Sequence, residues 1–145
     1  EKGVEAVNKF LDKIGISQAS YRVADGSGMS HQNAVSAEAF VTLLRYMYSR
    51  HDLFDAFYST LPAAGVDGTL RGRMVGTEAE GNLRAKTGTL NGVTSLAGYV
   101  TSADNELLIF SIASQDFPRR KSYKSLQDGI GVILANWSRE RYSGN

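Results

Sequence analysis

Leu83-Arg84-Ala85-Lys86-Thr87-Gly88-Thr89-Leu90-Asn91-Gly92-Val93 is the stretch on which the reading of this chain turns. It reads as a strand that carries Lys86-Thr87-Gly88 and then turns into a second strand. Working outward, three strands are predicted at about 83–89, 94–101 and 106–114. Ala103-Asp104-Asn105 makes a short hairpin connection between the last two. Leu107-Leu108-Ile109-Phe110 is apolar at every position, which predicts burial on both faces, as in a sheet covered by helices on each side.

Upstream, Val4, Val7, Phe10, Leu11 and Ile14 fall on one helical stripe, and Gly15 sits at the C-cap position. The apolar face of this amphipathic helix needs a partner. Residues 24–33, with Gly26 and Gly28, are a loop by composition. Ser36 is a good N-cap for the next helix, with Glu38 in its first turn and an apolar stripe of Phe40, Leu43, Leu44 and Met47. Asp52 is expected to cap a short third helix holding Leu53, Phe54 and Phe57, which Leu61-Pro62 ends.

Residues 63–82 contain Gly65, Gly68, Gly72, Gly76 and Gly81 and show little periodicity. They read as a long structured loop with a helical turn around 70–74, and loops of this length are commonly functional. A last helix is predicted at 123–141, with Leu126, Ile130, Ile133, Leu134 and Trp137 as its core stripe, before a frayed end at 143–145. Helices, loop, three-stranded antiparallel meander and helix make an α+β chain. Three strands need more cover than one helix gives, so further strands are expected from sequence outside this chain. Glu1-Lys2-Gly3 runs straight into a helical pattern, an opening that points to sequence upstream.

Composition narrows the function. The 145 residues suit one domain or part of one, and 42% hydrophobic residues suffice for a core. A net charge of +1 favours neither nucleic acid nor an acidic membrane. The cluster Arg119-Arg120-Lys121 is short enough to be a solvated turn. There is no cysteine, hence no thiol catalysis, disulfide or Cys-ligated zinc. No apolar run approaches the ~20 residues of a membrane span.

The chemistry sits on the strand. Acyl transfer from the carboxylate end of a peptide needs an activated nucleophile, N–H donors for the oxyanion, and a cation with hydroxyl donors for the carboxylate. On a strand Lys86 and Gly88 point to one face, and Thr87 and Thr89 to the other. Lys86 brings positive charge and can polarise a serine hydroxyl. Thr87 offers a hydroxyl to a carboxylate. Gly88 lets a substrate lie against the backbone. The Thr89 N–H is free to point at an oxyanion if the strand lies at a sheet edge, where an extended substrate can pair as an added strand. Taken alone, Lys-Thr-Gly is a common tripeptide, a strand followed by a turn.

Three blocks change that. Asp25-Gly26-Ser27-Gly28-Met29-Ser30 resembles the Asp-Gly-Ser-Gly-Leu-Ser loop of the S13 family of D-alanyl-D-alanine carboxypeptidases, the penicillin-binding protein 4 (DacB) type. Leu61-Pro62-Ala63-Ala64-Gly65 followed by Gly68-Thr69-Leu70-Arg71 resembles the family's next block, and Lys86 through Val100 its third, in the family's order and spacing. The resemblance implies part of a serine β-lactamase/penicillin-binding (transpeptidase-like) fold, an antiparallel sheet flanked by helices. Residues 1–145 would be the C-terminal portion of one such domain. Lys-Thr-Gly is one of three signatures of these enzymes; the other two, Ser-x-x-Lys and a Ser-x-Asn type motif, are read as absent from this chain and are expected beyond Glu1.

The roles follow by resemblance. Lys86 would contact the second-motif serine and the substrate carboxylate, Thr87 would bind that carboxylate, and Thr89 would give one oxyanion-hole N–H. Leu90 would flank the bound peptide along Gly88. Met29, Ser30 and His31 would help form a pocket for the substrate side chain. At His31 the chain departs from the usual arginine, and a neutral histidine cannot make a bidentate carboxylate contact.

The implied activity is that of a penicillin-sensitive serine DD-peptidase, carboxypeptidase or endopeptidase, working through an acyl-serine intermediate outside the cytoplasmic membrane. The implied partners are the peptidoglycan stem peptide, β-lactams and the N-terminal portion of the same protein. No cofactor, metal or nucleic acid is expected. A non-catalytic module that keeps the groove and binds peptidoglycan or a protein is the alternative. A β-lactamase relative of another family is disfavoured by the block at Asp25.

The remaining candidates are weaker. Ser30-His31-Gln32-Asn33 is one residue too long for Ser-x-Asn and reads as loop and capping chemistry. His51 precedes Asp52 and reads as a surface or capping residue. The two histidines stand apart from any metal-ligand pattern. Residues 65–76 lack the Gly-Lys-Ser/Thr of a phosphate loop. Trp137 and Tyr99 read as core, while Tyr46, Tyr48 and Tyr58 are left between core and groove.

Overall fold

The computed structural model describes residues 2–90, 92–115 and 120–142. Asn91, Arg119 of the basic cluster and the frayed end expected at 143–145 lie outside them. The chain divides into two compact units, Glu1–Phe54 and Asp55–Asn145.

In the first unit α1 (Lys2–Lys13) ends where Gly15 takes φ +82°, the left-handed C-cap that glycine favours. Val4, Leu11 and Ile14 are half-buried, but Val7 and Phe10 are about 40% exposed, so the expected stripe is only partly covered. Two short strands, β1 (Tyr21–Arg22) and β2 (Ala34–Val35), pair antiparallel and close the loop between them. They were not legible as strands, because two residues carry no periodicity. Ser36 caps α2 (Ala37–Ser49), its Oγ accepting from the Ala39 N–H at 3.1 Å. Leu44, Ala39 and Ile16 are buried, and Ala39, Phe40 and Leu43 line an apolar cavity with Leu11 and Ile16. Phe10 packs edge-on against Tyr46, and Tyr48 against Phe54.

The short third helix, α3, is Phe54–Thr60. Asp52 does not cap it. Both carboxylate oxygens of Asp52 bind the Arg50 guanidinium, at 2.9 and 2.7 Å, and Leu53 stays in the preceding turn.

The second unit is built on the strands β3 (Arg84–Leu90), β4 (Val93–Thr101) and β5 (Leu107–Gln115), in the order β3-β4-β5, all antiparallel. Thr87 faces Leu96 and Leu96 faces Ile112. Opposed residues share a face, so Ala85, Thr87, Leu96, Phe110 and Ile112 lie on one side. Arg84, Lys86, Gly88, Tyr99 and Ile109 lie on the other.

The first side carries the core: Leu70, Met74, Ala79, Leu83, Ala85, Leu96, Val100, Phe110 and Ala135, with Val132 and Leu134 packed against it. Its cover is α4 (Arg120–Ala135) and, against expectation, the glycine-rich segment 63–82. That segment places Leu70, Met74 and Ala79 in the core and has its helical turn at Gly68–Leu70, earlier than read. Leu107, Leu108 and Ile109 are only half-buried, so β5 is not covered on both faces as its unbroken apolarity implied.

The last helix breaks at 136–138 and resumes as α5 (Arg139–Tyr142). Trp137 O accepts from Ala103 N, and Asp104 Oδ2 accepts from Arg139 N at 2.6 Å, so the β4–β5 hairpin stops one helix and caps the next. Leu126 and Ile133, expected in the core, are 52% and 59% exposed. Among the described side chains of α4, the buried positions are Gln127, Gly131 and Ala135.

Candidate active site

β3 is one of the two edge strands of its sheet among the described residues. The segment before it covers only its start: Ala64 N donates to Leu83 O, and Ala85 N to Pro62 O at 3.1 Å. Backbone groups alternate sides along a strand. Since the Ala85 N–H points away from β4, those of Thr87 and Thr89 do too. Among the described residues no strand pairs with that length of edge. The edge therefore presents two N–H groups beside an exposed Lys86 and an exposed Thr89.

The side chains sort as the strand period requires. Lys86 Nζ donates to Thr87 O at 2.6 Å, which draws the ammonium to the open edge. Gly88 lies directly opposite Ser95, and a Cβ there would run into Ser95 Oγ. Only glycine keeps the surface flat at that point. Thr87 is half-buried, and its Oγ1 donates to Thr69 Oγ1 at 2.9 Å. Leu90 is half-buried and ends the strand. Behind the strand, Arg84 lies over the Tyr58 ring at 5.4 Å and donates to Leu61 O, and Tyr58 meets the buried Tyr99 edge-on. Tyr58 thus belongs to the packing of β3.

The loop 23–33 is a feature of the first unit. Asp25 Oδ1 accepts from Ser27 N, Ser27 Oγ, Gly28 N and Asn33 Nδ2, at 3.1 to 3.3 Å. Asn33 Oδ1 accepts from Ala24 N and Asp25 N. The hydrogen bond from Asn33, helped by those from Ser27 and Gly28, holds the Asp25 carboxyl below its ordinary pKa. Gly28 turns at φ +73°, and beyond it Met29 is 68% exposed, His31 exposed and Ser30 half-buried. Ser30 Oγ accepts from Gln32 N, the loop chemistry read for this tetrapeptide.

Lys86, Thr87, Gly88, Thr89 and Leu90 thus stand together on one edge strand, and Met29, Ser30 and His31 on one stapled loop of the other unit. Thr69 and Ser95 were missed. Both lie inside the blocks that carry the resemblance, but their contacts have no local signal, because one depends on strand register and the other on the path of a glycine-rich segment. Ser143-Gly144-Asn145 carries the letters Ser-x-Asn downstream of Lys86 and lies outside the described residues.

The fold of this chain is similar to that of solved structures. Penicillin-binding protein 4 (dacB) from Haemophilus influenzae superposes with a TM-score of 0.84 at 31% identity, over 93% of this chain and 32% of that one. The same protein in complex with a β-lactam gives a TM-score of 0.83 at the same identity, over 93% and 33%. A β-lactamase from Sphaerobacter thermophilus shares the fold at 18% identity, with a TM-score of 0.69 over 89% of this chain and 51% of that one. The fold is thus that of penicillin-binding proteins and serine β-lactamases. A D-alanyl-D-alanine carboxypeptidase from Actinomadura sp. (strain R39) is 38% identical over 143 residues, 95% of this chain and 26% of the relative. Residues 1–137 match the D-Ala-D-Ala carboxypeptidase 3 (S13) family, and the chain belongs to it. It spans about a quarter to a third of the length of these penicillin-binding protein and carboxypeptidase relatives.

Proposed function

We propose that this chain is the C-terminal portion of a transpeptidase-like domain and supplies the Lys-Thr-Gly wall of a penicillin-sensitive serine DD-peptidase. The observation that carries this is the edge strand. A Lys-Thr-Gly-Thr sequence with outward N–H groups and a flat surface at Gly88 lies in a member of the S13 family. Substrate is the D-alanyl-D-alanine end, or the D-amino acid cross-link, of a peptidoglycan stem peptide, which places the protein outside the cytoplasmic membrane.

In this reading the peptide lies along β3, against Gly88 and flanked by Leu90. A serine from a Ser-x-x-Lys motif upstream of Glu1 attacks the peptide carbonyl carbon. The Thr89 N–H, with that serine's own N–H, holds the oxyanion. The leaving D-alanine amine takes a proton, and water then hydrolyses the acyl-serine ester. Lys86 supplies charge to the proton transfer and to the terminal carboxylate, and Thr87 donates its hydroxyl to that carboxylate. Met29, Ser30 and His31 contribute to the recognition of the substrate side chain. A β-lactam acylates the same serine and stays on it.

The test is Lys86→Ala in the full-length protein. Acylation by benzylpenicillin slows by about 10²-fold or more if one charge-stabilising donor sets the rate. An unchanged rate removes Lys86 from the site. A wild-type protein that is never acylated favours a non-catalytic module that binds in the groove.

A further inference from the structure

Thr69 stands outside the strand, yet its hydroxyl meets that of Thr87 at 2.9 Å. Its position is set from both sides. Leu70 is fully buried in the core. Gly68 takes φ +51°, and a Cβ there would stand 3.0 Å from Pro62 Cγ. Asp67 Oδ1 accepts from Ala63 N at 2.9 Å, Leu70 N donates to Asp67 O, and Gly65 N donates to Leu70 O. Pro62 O in turn takes the Ala85 N–H, two residues from Thr87 on the same edge. Thr69 is exposed, so none of this packing accounts for its hydroxyl.

A hydroxyl has one proton to donate and two lone pairs that accept. Thr87 donates to Thr69. An anionic oxygen at the strand edge competes for that proton. When the Thr87 O–H turns to the anion, its oxygen is left facing Thr69, whose own proton can reverse the bond. Thr69 O–H, Thr87 O–H and the anion then form one chain polarised in a single direction, in which each bond strengthens the next. A lone threonine on an open edge would have to give up a free rotamer to do the same.

We infer that Thr69 is a positioning residue that orients and polarises the Thr87 hydroxyl toward a carboxylate, the group shared by the end of a stem peptide and by a penicillin. The inference rests on the reading of Thr87 as the carboxylate-binding hydroxyl.

The experiment compares acylation of the full-length protein by benzylpenicillin and by benzylpenicillin methyl ester, which lacks the charge. Thr69→Val removes the hydroxyl and keeps the shape. It slows acylation by the acid about 3–10-fold, the weight of one hydrogen bond, and leaves the ester rate unchanged. Thr69→Ser restores the acid rate. In a Thr87→Val background, Thr69→Val has no further effect.

An unchanged acid rate in Thr69→Val overturns the inference, as does an equal loss on acid and ester. A further loss in the Thr87→Val background does the same. Thr69→Ala is read alongside, and failure of both variants to fold makes Thr69 structural and overturns it too. If Thr87→Val itself leaves the acid rate unchanged, or wild type is not acylated, the underlying reading fails and takes the inference with it. A Thr87 effect without a Thr69 effect sinks the inference alone.

Discussion

Asp25 holds its loop through a single carboxylate oxygen, on which Ser27 N, Ser27 Oγ, Gly28 N and Asn33 Nδ2 converge. These bonds favour the ionised form and depress its pKa, with Asn33 the largest cause. For a depressed carboxyl the stabilisation is fully present above the ordinary pKa and is lost as pH falls through the depressed value. The amide signals of Ser27 and Gly28, followed by NMR against pH, should therefore keep their loop-bound shifts into acid and lose them below the ordinary carboxylate range. Asn33→Ala should move that loss up toward the ordinary value. Shifts that do not respond to pH would contradict this account of the loop. The loop itself was legible, since Asp, Ser, Gly and Asn are its natural residues, but the convergence on one oxygen was not. Lys86 and Gly88 were likewise read from the strand alone. Ser95 behind Gly88 and Thr69 beside Thr87 needed the tertiary path.

At the scale of elements, α4 shows why apolarity misled. The stripe through Leu126, Ile130, Ile133, Leu134 and Trp137 suggested the buried face; Leu134 does pack against the core, yet Leu126 and Ile133 are exposed and the helix turns Gln127, Gly131 and Ala135 inward. Small residues let it approach closely: a Cβ at Gly131 would stand 2.8 Å from Leu83 Cδ1 and 2.9 Å from Met74 Sδ. Gln127 is buried because it is satisfied. It accepts from Arg73 Nη2 at 3.0 Å and donates to Thr94 Oγ1, while Arg73 also pairs with Asp128 at 2.7 Å. Two substitutions on this helix should then differ in sign. Gly131→Ala should lower stability by about 1–3 kcal/mol through overpacking. Gly129→Ala, exposed with nothing within 4 Å, should raise it by about 0.5–1 kcal/mol through backbone entropy. Thermal unfolding of the full-length protein reads both, and equal effects would mean that α4 does not pack on Leu83 and Met74 as described. The strands were easier to read, each within a residue or two of its place, because alternation and the hairpin residues at 103–105 are local signals. The 136–138 break was invisible because its cause, Asp104 and Ala103 of the hairpin, is remote in sequence.

At the scale of the molecule, the order of the longer elements and the α+β class were readable from periodicity, and three sequence blocks carried the family. What periodicity could not supply was the cover of the sheet. Residues 63–82 read as a long structured loop rather than as cover because their glycines hide four core anchors, Ala64, Leu70, Met74 and Ala79, spaced at no regular period. The division into two units was also unreadable, since no Pro- or Gly-rich linker marks residue 54. The central claim is that this chain is the wall of a site whose nucleophile lies elsewhere in the protein. Intact mass spectrometry of the full-length protein with and without benzylpenicillin, followed by peptide mapping, tests it most directly. The account predicts one adduct, on a Ser-x-x-Lys serine outside residues 1–145. An adduct on a serine within these residues, or no adduct at all, would contradict it.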